Sequence, residues 1–167
     1  MINKKLLKSG DILLFRETHR STLFQRLIVW GQKTFYHVPS QARYCHVALV
    51  DKDTDYMLEA VWPKTRQSKI DFSTYKAKEI IEVYRVRGIT DEQINKTLDW
   101  AHNNLGKWYN ILDFLSGWLQ IKHTYICSTF VSTAFKIVNL YIPYKVKNNE
   151  LVIPDDYYQD SSLDFIC

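Results

Sequence analysis

The chain predicts an α+β fold, an antiparallel sheet with helices packed against it. Three observations carry this reading. Segments with strand character gather before residue 88, apolar residues at helical spacing dominate after residue 90, and a hairpin signal joins two of the strands. Strands first and helices later is the pattern of that class. The 167 residues contain no internal repeat and no linker, so one domain over 1–167 with a single core is expected.

The first strand is expected at Asp11–Phe15, an apolar run opened by the turn signal Ser9-Gly10. Ser21-Thr22 can cap a helix to about Thr34, with Leu23, Phe24, Leu27, Ile28 and Trp30 on its apolar side. Pro39-Ser40 marks a loop. Tyr44–Val50 and Tyr56–Val61 flank Asp51-Lys52-Asp53-Thr54-Asp55 and read as a β-hairpin. Glu79–Arg87, β-branched and aromatic, is a further strand. Thr90-x-x-Gln93 resembles a capping box opening a helix to about Asn104, stopped at Gly106. Asn110–Leu119 is expected as a shorter helix. A third is expected at Ser128–Leu140, with Phe130, Val131, Ala134, Phe135 and Val138 on its apolar face.

Composition excludes a disordered or low-complexity chain, because 11 Tyr, 8 Phe and 5 Trp accompany only 5 Gly and 4 Pro. The net charge of +4 is unevenly spread. Residues 1–43 hold eight Lys/Arg against Asp11 and Glu17, giving +6, so the remainder is −2. Such a basic third can attract an anionic surface, or it can be a solvated face without a partner. No specific nucleic-acid partner is expected, and the sequence does not specify an oligomeric state. Cys45, Cys127 and Cys167 form neither a disulfide framework nor a C-x-x-C zinc pair, which fits free thiols in a reducing compartment. Met1–Lys8 has no apolar h-region, and no uncharged stretch is long and apolar enough for a bilayer. A cytoplasmic chain is expected, with action elsewhere after release still open. No cofactor and no metal are expected.

Chemistry concentrates at three positions. Cys127 stands where a helix begins, and a helix N-terminus favours a thiolate and offers amides to an oxyanion. His46 lies mid-strand. A two-residue turn at Lys52-Asp53 would set a hairpin register that places Glu59 directly opposite it, with Cβ atoms about 4.5–5.5 Å apart. A carboxylate there can fix the imidazole tautomer and leave the other nitrogen for a thiol. The alternatives are an inert buried cysteine, an ordinary strand histidine and a surface glutamate. Cys45 is assigned to the core and Cys167 is read as incidental. His102 and His123 are read as surface or interface residues, and Tyr125 as a packing residue two positions before Cys127. Trp100, Trp108 and Trp118 either line a groove or belong to the core. Asp11 is expected to cap backbone amides where the first strand begins.

Six blocks carry a resemblance. They are Gly10-Asp11-Ile12-Leu13-Leu14-Phe15, His46-Val47-Ala48-Leu49-Val50, Leu58-Glu59-Ala60, Gly106-x-x-Tyr109, Cys127-Ser128-x-Phe130-Val131 and Pro154-Asp155-Asp156. In this order they look like the permuted papain-like amidases of the NlpC superfamily, YaeF/YiiX type. In that family the histidine strand precedes the nucleophile because the papain-like core is circularly permuted, and here too the order is His, Glu, Cys. The resemblance implies a circularly permuted papain-like fold, with Cys127 as nucleophile, His46 as general base and Glu59 as its orienting partner. Ala48 stands where many relatives have Gly. The segment 17–44 lengthens the path to His46 and is the expected place for substrate selection.

The function expected from this is a cysteine hydrolase, amidase- or peptidase-like, acting on an amide, ester or thioester through an acyl-enzyme. Peptide-, cell-wall- or lipid-derived substrates all fit, and so does acyl transfer. A catalytically silent papain-like binding module is the alternative from another class. A zinc site built from His46, Glu59 and Cys127 is a third, without a spaced ligand motif behind it.

Overall fold

The structure, a computed structural model, describes residues 4–18, 26, 29–30, 43–71, 79–110, 124–148 and 150–167. Among the described residues six strands form one sheet: β1 (Ile12–Glu17), β2 (Tyr44–Val50), β3 (Tyr56–Val61), β4 (Lys64–Lys69), β5 (Glu79–Val86) and β6 (Leu163–Phe165). Their spatial order is β4-β3-β2-β1-β5-β6, and every neighbouring pair is antiparallel. Among the described residues three α-helices have assigned bounds: α1 (Asp91–Asn103), α2 (Cys127–Lys136) and α3 (Pro154–Tyr158). This is the α+β class expected. The helix expected at Ser21–Thr34 lies outside the described residues except for 26, 29 and 30, and the one at Asn110–Leu119 does so beyond Asn110.

The central strands are buried on both faces, which is why β1 reads as an unbroken apolar run rather than an alternating one. Ile12 and Leu14 join Val47, Leu49, Leu58 and Ala60 under the helices, against Phe130, Val131, Ala134 and Phe135 of α2. Leu13 and Phe15 join Ala48, Val50, Met57, Ile81 and Val83 in a second cluster. Each Val, Leu, Ile, Met or Phe among them contributes on the order of 1.5–3 kcal/mol by leaving water.

The capping box of α1 forms as expected. Gln93 N–H donates to Thr90 Oγ1 (3.2 Å), and Thr90 N–H donates to Gln93 Oε1 (3.1 Å). Helix α2 begins at Cys127 and ends at Lys136, four residues short of the expected Leu140. Asn139 ends it by taking a left-handed conformation, φ 59°. Leu140 N–H then returns to the Phe135 carbonyl (3.2 Å) and Asn139 N–H to that of Lys136 (3.0 Å), the bond pair of a Schellman cap.

Strands β4 and β6 have no counterpart in the sequence reading. Lys64–Lys69 reads Lys-Thr-Arg-Gln-Ser-Lys, with no apolar residue to alternate. It is held instead by its pairing with β3 and by polar contacts on both faces. Thr65 Oγ1 donates to the Asn104 carbonyl (2.6 Å), and Gln67 Nε2 donates to Asp51 Oδ2 (2.6 Å).

Candidate active site

The hairpin that carries His46 and Glu59 closes differently from the expected register. Leu49 pairs with Leu58 and Val50 with Met57, and Asp51 N–H meets the Tyr56 carbonyl (3.0 Å). The turn therefore spans Lys52–Asp55, two residues longer than expected. Asp53 causes this: its side chain accepts from Asp55 N–H (3.0 Å) and its carbonyl from Tyr56 N–H (2.9 Å), an Asx-type turn. Glu59 is thus diagonal to His46 rather than opposite. A two-residue shift keeps the residue on its face, whereas one residue would have turned it away.

A second irregularity lies on the other side of His46. Phe15 pairs with His46 and Arg16 with Tyr44, so Cys45 is an extra residue, a bulge in β2. Cys45 is fully buried in the second cluster with its thiol on the Phe15 carbonyl (3.3 Å). The Phe15 and His46 rings lie 5.1 Å apart. Bulges of this kind bend a strand and re-aim the side chains beside them.

His46 and Glu59 meet. The Nε2 atom is 2.8 Å from Glu59 Oε2, with only 15% and 3% of the two side chains exposed. An ionised carboxylate only accepts, so Nε2 carries the proton and Nδ1 is left for another partner. Cys127, buried at 4% exposure, lies close enough to the His46 ring to favour its charged form. Glu59 Oε1 takes two further donors from β4, Ser68 Oγ (2.6 Å) and Arg66 Nε (3.1 Å).

These contacts set the charges. Burial opposes a charged imidazole, but Cys127 and Glu59 outweigh it and raise His46 to about 10. Burial likewise opposes the Glu59 carboxylate, yet His46, Ser68 and Arg66 hold it down to about 2. The result is an anion held next to a ring that favours its charged form.

Cys127 arrives through a short relay of backbone pairing. Tyr109 N–H bonds to the Pro63 carbonyl (2.9 Å) just beyond β3, Tyr125 N–H to that of Trp108 (3.1 Å), and Asn110 N–H to that of Tyr125 (3.0 Å). Ile126 is extended and Cys127 opens α2. Two contacts to the C-terminal part of the chain fix the first turn. Ser128 Oγ donates to the Val152 carbonyl (2.6 Å), and Tyr157 Oη, from α3, donates to the Ser128 carbonyl (2.7 Å). The first amides of α2 have no partner within the helix and can receive negative charge.

The remaining candidates take other places. Asp11 accepts from Lys8 N–H (2.8 Å) and forms a two-bond pair with Arg85 (2.7 and 2.8 Å), a structural role. His102 Nε2 pairs with the buried Asp51 (2.7 Å), tying α1 to the hairpin. Tyr125 Oη donates to Asn104 Oδ1 (3.2 Å), while its ring packs against Trp100 and Phe130. Trp108 is exposed beneath the Lys64 ammonium, 4.7 Å from its ring. Cys167 is partly buried beside the second cluster. His123, Trp118 and most of the segment 17–44 lie outside the described residues. Ser68 and Arg66 went unseen in the sequence, because Lys64–Lys69 is polar at every position and gives no alternation. Among the described residues no group of three or more His, Cys, Asp and Glu is placed to hold a metal ion. No helix among them is long and apolar enough to cross a membrane.

Among curated proteins, none matches this chain. The model of the family described as permuted papain-like amidase enzyme, YaeF/YiiX, C92 family, matches residues 6–164, all but the two ends of the chain. The chain belongs to this permuted papain-like amidase family and is an enzyme of the cysteine-hydrolase kind.

Proposed function

We propose that Cys127, His46 and Glu59 act as nucleophile, general base and orienting group in the cleavage of an amide, ester or thioester. The observation that carries this reading is the His46 ring held by Glu59 through Nε2 (2.8 Å), with the Cys127 side chain near enough to favour its charge. Nδ1 holds the proton given up by the thiol, since His46 keeps its charge up to about 10, and Sγ attacks the substrate carbonyl carbon to form a C–S bond. The carbonyl oxygen becomes an oxyanion that the first-turn amides of α2 can receive. As the tetrahedral species collapses, the bond to the leaving group breaks and the His46 proton passes to it. A thioester remains. Water then gives a proton to His46 and its oxygen to the acyl carbon, and the thiolate departs. Glu59 holds the tautomer throughout and stabilises the imidazolium. A substrate derived from peptide, cell wall or lipid, or an acyl acceptor in place of water, fits the same steps.

Alkylation by iodoacetamide tests the reading without a known substrate. Cys127 is expected to react near neutral pH faster than the partly buried Cys167, and to slow markedly in His46→Ala. Peptide mass spectrometry separates the three cysteines. Labelling of Cys127 no faster than Cys167, or unchanged in His46→Ala, would remove the activated thiol from the account.

A further inference from the structure

We propose that Ser68 and Arg66 are positioning residues that fix the Glu59 carboxylate in the one orientation from which it holds His46. This rests on the triad reading above and adds to it a polar strand that the triad alone leaves unexplained.

The chemistry starts with the glutamate itself. The last torsion of its side chain is soft and roughly two-fold, so a carboxylate held at one oxygen alone can swivel. Here Oε1 receives Ser68 Oγ (2.6 Å) and Arg66 Nε (3.1 Å), which leaves Oε2 to meet His46 Nε2 (2.8 Å). Three donors on a side chain only 3% exposed define its plane as well as its place. A buried carboxylate with fewer donors would be costly to keep ionised.

The register shows how β4 delivers both donors. Glu59 pairs directly with Arg66, and Met57 pairs with Ser68, so Ser68 is the diagonal neighbour of Glu59. Alternation along a strand puts Arg66 and Ser68 on one face and Thr65 and Gln67 on the other. The second pair is committed elsewhere, to the Asn104 carbonyl and to Asp51. A strand with no apolar residue is therefore explained position by position: one face serves α1 and the hairpin turn, the other serves Glu59.

The two donors differ in kind. Arg66 reaches Glu59 through Nε alone and is 58% exposed, so water screens its charge. Ser68 is only partly exposed and makes the shorter bond. Ser68 supplies most of the direction, and Arg66 adds charge that keeps the carboxylate an acceptor.

A double-mutant cycle on the full chain tests this, read by the rate of Cys127 alkylation with iodoacetamide at neutral pH. Ser68→Ala is expected to slow alkylation by up to the roughly hundredfold that misplacing a reacting group by 1 Å can cost. It should have no further effect when Glu59 is already Gln, and Ser68→Thr should restore the rate, with thermal midpoints confirming that each variant folds. An equal slowing by Ser68→Ala in both backgrounds would mean a general structural role and overturn the proposal, as would no slowing at all. If His46→Ala and Glu59→Gln slow alkylation and Ser68→Ala does not, only the positioning role fails; if His46→Ala has no effect, the triad fails with it.

Discussion

Glu59 is held from three sides inside the protein, and an ionised carboxylate in that position changes what its neighbour can do. It favours the charged form of His46, and nearby Cys127 does the same against the opposing effect of burial, so the imidazole stays protonated up to about 10. Both influences are removable. The His46 ring followed by NMR through a pH titration should lose its proton at clearly lower pH in Glu59→Gln, and also in Cys127→Ala. A midpoint unmoved in both variants would show that neither partner supports the charge. At this scale the sequence was legible in residue type and order: a cysteine before a helix, a histidine within a strand, a glutamate on the next. What it did not show was the ring of donors behind Glu59. Ser68 and Arg66 sit in an all-polar run, and a run without apolar residues has no periodic signal that would assign it to a strand or a face.

Elements were readable where burial dictates sequence. The limits expected for β2 and β3 are those observed, because both are apolar runs bounded by turn residues. Reading failed where side-chain hydrogen bonds decide the backbone. Asp53 lengthened the hairpin turn, and Asn139 ended α2 before its apolar pattern ran out. Helix α1 shows the opposite case, a polar group with nothing to bond. Thr97 is fully buried and its hydroxyl has no hydrogen-bond partner, which costs stability because that oxygen has left water. Thr97→Val keeps the shape and removes the orphan, so it should stabilise the protein by about 1 kcal/mol, read as a higher urea midpoint with an unchanged slope. A lower midpoint would mean that the hydroxyl is satisfied in solution.

For the whole molecule, the His46–Glu59 pair links stability to pH on both sides of neutrality. The folded protein holds Glu59 at about 2, below its ordinary 4.5, so this contribution is complete above pH 4.5 and is lost as pH falls toward 2. It holds His46 at about 10, above its ordinary 6.5, so that contribution is complete below pH 6.5 and is lost as pH rises through 10. The stability gap between the wild type and a His46→Ala/Glu59→Gln variant should therefore be widest between pH 4.5 and 6.5, and should narrow toward both extremes in urea titrations. A gap independent of pH would show that the pair is not titrating with folding. The bulge at Cys45 matters at the same scale, because it divides β2 into two lengths that answer to different parts of the molecule. From His46 onward the strand keeps step with the hairpin and with Glu59. At Tyr44 it keeps step with Glu82 of β5 and, through its backbone, with Asp155 of α3. Deleting one residue there would force a choice between the imidazole's carboxylate and the strand's anchorage, so the surplus cysteine is what lets one strand serve two masters.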